Sequence, residues 1–236
     1  MTLLDLPKRG RRYLEIAEAL AARIEAGEYA TGQRLPPERD LAQALDVSRT
    51  TLREALLALE IMRFVEIRTG SGVIVLPEHQ RDRKRGELII SDEVGPYEVL
   101  EVRRTIEGLS AYHAASRATT EQLDELERIV ARTEAAINDV SVFDRADEEY
   151  HARIAQATGN GVLELYADHL WRMRRGALCE RWFAQTRKVS TRRQSVEEHW
   201  RILRALQRRR PEIARSAMEQ HIDVLIERFL DQDLLP

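Results

Sequence analysis

The stretch from Pro37 to Leu76 constrains the fold of this chain more than any other. Proline suits the first turn of a helix, because the amide it lacks would have no helical partner there. A helix is therefore predicted from about Pro37 to Ala44. Leu45-Asp46-Val47 makes a tight turn, and Ser48 is a good N-cap for a further helix through about Ile61. Phe64–Arg68 and Gly72–Leu76 alternate or run apolar around Thr69-Gly70-Ser71-Gly72, the pattern of a β-hairpin. Upstream, Ile16, Leu20 and Ile24 recur at helical spacing between Arg12 and Ala26, and Gly27 ends that helix. Helices joined by a three-residue turn and followed by a hairpin make a winged helix-turn-helix.

Beyond the hairpin the character changes. Residues 78–96 hold the charge run Gln80-Arg81-Asp82-Arg83-Lys84-Arg85 and the breakers Gly86, Gly95 and Pro96, which suits a solvated linker. From Tyr97 onward the pattern is helical with no strand signal, and helices are predicted at about 97–117, 120–138, 142–157, 161–178, 192–209 and 211–230. The expected organisation is a winged helix-turn-helix over 1–77, a linker over 78–96 and an all-α bundle over 97–236, so the fold class is mainly α. Hydrophobic residues at 43% and charged residues at 33% suit a globular protein. No apolar run reaches the roughly 18–20 residues that span a bilayer, the first residues show no secretory pattern, and Cys179 is the only cysteine, so a cytoplasmic protein without membrane partners is expected. Residues 1–85 carry a net charge of +2 and the remainder −5, too little asymmetry to identify a partner.

On the third helix the inward stripe is Leu52, Ala55, Leu56 and Leu59. Ser48, Arg49 and Arg53 fall on the opposite face, with the two arginines four residues apart and side by side. Such a helix presents its N-terminal residues to the major groove, where arginine bonds guanine through two acceptors, while Ser48 and its neighbouring amides suit a phosphate. Leu35-Pro36-Pro37-Glu38-Arg39-Asp40-Leu41-Ala42, Val47 through Leu56, and Gly70-Ser71-Gly72 together resemble the GntR family of bacterial regulators over about residues 11–76. The resemblance implies that Arg39, Arg49 and Arg53 contact DNA, that Ser48 and Thr50 assist, and that Gly70 lets the wing tip approach a groove. One departure is visible: the family usually places glycine before the first wing strand, and this chain has Arg63.

In the helical part, Asp147 and His151 lie four apart on the face shared with Ile154. His199 lies on the stripe Val196, Ile202, Leu203, Leu206, and His221 lies among Ala217, Val224 and Leu225. Inward polar groups need partners. Convergence on a divalent ion and separate helix-to-helix hydrogen bonds both satisfy this pattern. The strings Leu100–Glu107, Asp147–His151, Gly159-Asn160, His199 and Ala217–His221 resemble the helical effector domain, of FCD type, in the FadR-like branch of the GntR family. That resemblance implies that Asp147, His151, His199 and His221 hold one divalent ion per subunit, with zinc first and nickel, manganese or iron as alternatives.

Four protein ligands leave an octahedral ion room for about two more donors, which a carboxylate with an adjacent hydroxyl would fill. Arg103, on the stripe with Leu100, Glu107 and Ala111, and Arg174, on the stripe Ala167, Leu170, Trp171, Leu178, are candidates to meet such an anion. An intrahelical pair with Glu107 is the equal alternative for Arg103. Trp171 and Asn160 complete the candidate effector contacts. Gly95–Leu100 and Leu170–Arg174 resemble hexuronate-responsive, UxuR- and ExuR-type regulators. The expectation is a homodimeric repressor on palindromic operator DNA, controlled by a sugar acid such as a hexuronate or aldarate. The alternatives are a regulator whose signal is the ion itself and a metal-dependent enzyme domain. Against the enzyme, no inward carboxylate beside the ligands is placed as a general base.

Overall fold

A computed structural model describes residues 12–68, 71–82 and 94–231. Its described elements run α1 (Arg12–Glu25), α2 (Glu38–Ala44), α3 (Arg49–Ile61), β1 (Val65–Arg68), β2 (Gly72–Val75), a short 3₁₀ turn (Glu78–Gln80), and then seven helices. These are α4 (Pro96–Arg117), α5 (Thr120–Ala135), α6 (Val140–Gln156), α7 (Gly161–Arg174), α8 (Ala177–Thr186), α9 (Val189–Gln207) and α10 (Pro211–Asp231). The chain is mainly α with one two-stranded sheet, as the sequence predicts. Among the described residues no helix is long and apolar enough to cross a membrane.

Contacts divide the chain into two compact units that are not contiguous in sequence. The first comprises residues 1–98, 175–185 and 229–236, and the second residues 99–174 and 186–228.

In the first unit, α1 buries Tyr13, Ala17, Leu20, Ala21 and Ile24, a stripe at three- and four-residue steps. Gly27, at φ +80°, ends it as the Gly27 amide bonds the Ile24 carbonyl and the Glu28 amide bonds that of Arg23. Pro37 is the residue before α2 rather than its first residue. Ser48 caps α3, its Oγ accepting from the Thr51 amide at 3.0 Å. The wing is antiparallel, with Val65 opposite Val75 and Arg68 opposite Gly72. The free edge of β2 pairs with the segment before α2: the Leu35 amide bonds the Val73 carbonyl and the Val75 amide bonds that of Gln33. Gly70, the expected wing tip, lies outside the described residues.

Arg63 explains the departure from glycine before the wing. Its φ is +58°, the left-handed conformation a glycine would adopt, and the Phe64 amide closes the helix end on the Leu59 carbonyl. Its Nε donates to the Gln80 carbonyl at 3.2 Å, so the start of the expected linker is tied to the wing.

Helix α8 corrects the sequence reading, which ran one helix over 161–178 and left 179–191 unassigned. The chain breaks after Arg174 and starts a ten-residue helix that buries Leu178, Cys179, Trp182 and Phe183. Glu60 of α3 fastens it, accepting from Arg181 Nε at 2.7 Å, Gln185 Nε2 at 3.1 Å and the Ile67 amide at 2.8 Å. A three-turn helix so short is held by such tertiary contacts more than by its own propensity.

The second unit is a helical bundle whose core includes Ala111, Ala114, Leu126, Val130, Tyr150, Ile154, Ile202, Leu206 and Met218. Its helix starts are capped by Thr119 with Gln122 in a reciprocal box for α5, and by Asp139 for α6.

Candidate metal centre and recognition helix

The four candidate ligands of the bundle come from three helices, and the structure brings them together. Asp147 and His151 project from one face of α6, His199 from α9 and His221 from α10. The histidines are 0–2% exposed, and their ligand atoms all lie within 4.8 Å of one another. Asp147 Oδ1 stands 3.4 Å from His199 Nε2 and 3.9 Å from His151 Nε2.

Burial pushes His199 well below its usual range and His221 down to about 3, and in each case neighbouring histidines push the same way. Both rings are thus held neutral, the state a metal ligand needs. For Asp147, burial pushes the carboxyl up, but the charged surroundings, with Arg174 3.7 Å away, outweigh it and keep it below its usual value.

Neither ring nitrogen of His199 has a hydrogen-bond partner among the described residues. Leaving both nitrogens of a fully buried imidazole unpaired would cost several kcal/mol. One divalent ion would take one nitrogen of each ring: a carboxylate oxygen and three imidazoles are a donor set for zinc or a neighbouring transition metal.

Trp171 lies beside this cluster, its ring 5.2 Å from that of His151. The guanidinium carbons of Arg103 and Arg174 sit 4.4 and 4.6 Å from the Trp171 ring centroid. Arg174 Nη2 is 3.7 Å from Asp147 Oδ2. Arg103 resolves in favour of the intrahelical alternative: its Nε donates to Glu107 Oε1 at 2.7 Å, and it is 1% exposed. Asn160 is displaced from its expected role, for it is exposed and caps α7, its Oδ1 accepting from the Val162 amide at 3.0 Å.

Two inward carboxylates that the sequence reading did not place there do stand beside the ligands. Glu107 Oε2 lies 2.6 Å from His151 Nδ1, and Glu198 Oε2 lies 2.7 Å from His221 Nδ1. Each carboxylate is taken up by an imidazole, so neither stands as a general base. Glu107 was visible as an inward residue on the Arg103 stripe. Glu198 carried no signal beyond its place before His199.

Arg39 of α2 and Arg49 at the start of α3 keep 87% and 53% of their side chains exposed. Ser48 is exposed at the start of α3 and Thr50 is half-buried beside it. Arg53 is not on the exposed face expected of it. It is 1% exposed, its Nε donates to Glu38 Oε1 at 2.6 Å, and its Nη1 donates to the Phe229 carbonyl. The inward stripe accounts for only one side of α3; Glu54, Leu57 and Glu60 are also buried, so the helix is covered on a second face and Arg53 belongs to it.

Residues 12–75 match the family described as bacterial regulatory proteins, gntR family, and residues 98–224 match the FCD domain. The chain is 32% identical over 216 residues to the Uxu operon regulator of Haemophilus influenzae, covering 90% of this chain and 80% of that protein. It is 32% identical over 225 residues to the Exu regulon transcriptional regulator of Escherichia coli K12, covering 93% of this chain and 85% of that protein. Among solved structures, E. coli McbR/YncC shares the fold, with a TM-score of 0.51 at 21% identity over 94% of this chain and 98% of that one.

Proposed function

The chain belongs to the GntR family of bacterial transcriptional regulators and carries its FCD domain, and on that premise we propose that it is a homodimeric repressor released from its operator by a sugar acid bound at a metal centre. The observation that carries the reading is the buried cluster of Asp147, His151, His199 and His221 beside two arginines stacked on one tryptophan.

Arg103 is offset by Glu107 and Arg174 is set against Asp147, so the charge of a divalent ion held there stays largely uncompensated. Such a site selects an anion. The ion would supply two open positions for a carboxylate and its neighbouring hydroxyl, and Arg174 a charged hydrogen bond. Trp171 holds both guanidinium groups against its ring, and its buried Nε1 has no hydrogen-bond partner among the described residues, which leaves a donor for a ligand oxygen. These features, with relatives named for the Uxu operon and the Exu regulon, favour a hexuronate or aldarate.

Arg39 and Arg49 are the exposed guanidinium groups proposed to contact DNA, with Ser48 and Thr50 beside them. For the dimer, Val162, Leu165 and Tyr166 form one face of α7 with 61%, 57% and 49% exposure. An apolar face so open suits a second copy of the chain.

Calorimetry with hexuronates and aldarates on metal-loaded protein tests the reading. Binding that vanishes with EDTA, weakens in Arg174→Ala and lowers operator affinity is the expected result. Sugar acids that bind equally well without metal refute it, whereas release from the operator by metal alone favours the ion as the signal. Leu165→Arg should shift the sedimenting species from dimer to monomer.

A further inference from the structure

The three histidines of the cluster are not held alike. His151 Nδ1 stands 2.6 Å from Glu107 Oε2 in a close ion-pair contact, and His221 Nδ1 is hydrogen-bonded to Glu198 Oε2 at 2.7 Å. His199 meets only Asp147, whose Oδ1 stands 3.4 Å from its Nε2, and among the described residues no carboxylate stands at its Nδ1; its ring lies 4.5 Å from that of Tyr150, whose hydroxyl donates to the His199 carbonyl at 3.0 Å. A carboxylate at Nδ1 holds the proton on that nitrogen, so the lone pair sits on Nε2, and it raises the ring's basicity as a donor. In His151 it is Nε2 that faces Asp147.

We propose that Glu107 and Glu198 are positioning residues for the metal centre, each fixing one ligand histidine so that its Nε2 is aimed at the ion. The inference rests on the metal reading above. It brings in α4, a helix that supplies no ligand, since Glu107 reaches from α4 to His151 on α6. Glu198 reaches from α9 to His221 on α10, while its chain neighbour His199 is itself a ligand.

The two carboxylates differ in surroundings. Glu107 is 2% exposed and bonded by Arg103 through Nε at 2.7 Å and Nη2 at 3.4 Å. Its negative charge is therefore retained, and Arg103 acts on the centre through it. Glu198 lines an open pocket of about 430 Å³ with Glu197, Arg201, Asp223 and Glu227. Its side chain keeps 9% exposure, against 3% for Glu107.

The test measures metal affinity of the full chain by competition with a chromogenic chelator, together with the visible absorption of the cobalt-loaded protein. Glu107→Gln and Glu198→Gln should each weaken binding by about 10–100-fold, more for Glu107→Gln, and alter the cobalt bands. Glu197→Gln, in the same pocket, should leave both unchanged. The paired variant Arg103→Met with Glu107→Gln removes the stranded guanidinium and keeps the test decisive if Glu107→Gln alone does not fold. Wild-type metal uptake, with both single variants within about twofold of it and an unchanged cobalt spectrum, overturns the inference alone. A wild-type chain that takes up no metal overturns the centre itself.

Discussion

Arg53→Ala should damage the fold, whereas Arg49→Ala should damage DNA binding and spare the fold. Arg53 and Glu38 are 1% and 2% exposed, and 2.6 Å separates the guanidinium Nε from the carboxylate. Removing the arginine strands a buried negative charge, and breaking a buried pair from one side costs about 3–5 kcal/mol. Arg49 Nε is 3.5 Å from the same carboxylate oxygen; moving closer could recover about 1 kcal/mol, which leaves about 2–4 kcal/mol. Arg49 is half exposed, so its own truncation should cost the fold under about 1 kcal/mol, while loss of a guanine contact weakens specific binding by about 1–3 kcal/mol. Urea denaturation followed by circular dichroism reads the first quantity. Anisotropy titration of an operator duplex at fixed salt reads the second. A double variant, Glu38→Leu with Arg53→Met, should regain most of the lost stability, because apolar residues of similar volume replace buried pairs well. Arg53→Ala with a wild-type midpoint and an operator defect equal to that of Arg49→Ala would refute the reasoning and return Arg53 to the DNA-facing surface.

Arg63→Gly should raise the denaturation midpoint. The left-handed conformation costs an ordinary residue about 1–2 kcal/mol, while glycine's extra chain entropy and the lost Gln80 contact return roughly 1 kcal/mol. Arg63→Ala keeps the strain, so a glycine variant no more stable than the alanine one would exclude this account. The chelator-treated, metal-free chain should lose stability on acidification from about pH 7.5 to about pH 5. The unfolded chain takes up protons on His221 below 6.5, which the folded chain resists until about 3, and His199 acts in the same sense. Glu198, pushed up to about 7 chiefly by burial, opposes them as one group against two. A midpoint at the lower pH that matches or exceeds the higher one would contradict it.

What the sequence determined by itself is the local architecture. Leu20 and Ile24, the Ser48 cap, the Gly27 and Pro211 punctuation and the alternation through the wing report backbone preferences that act over a few residues. Inward placement of Asp147, His151, His199 and His221 was legible for the same reason, since helical periodicity states which face a side chain occupies. Tertiary structure alone decided which inward groups meet. Periodicity placed Arg53 opposite one apolar stripe, but Phe229, 176 residues away, covers its side of α3. Glu107 and Glu198 became partners of His151 and His221 because particular helices pack side by side, across separations of 44 and 23 residues. The helix containing Trp182 escaped notice because ten residues form a helix only when neighbours bury one face. A buried charge takes whichever partner packing brings within hydrogen-bond reach, and that choice is made among residues distant along the chain.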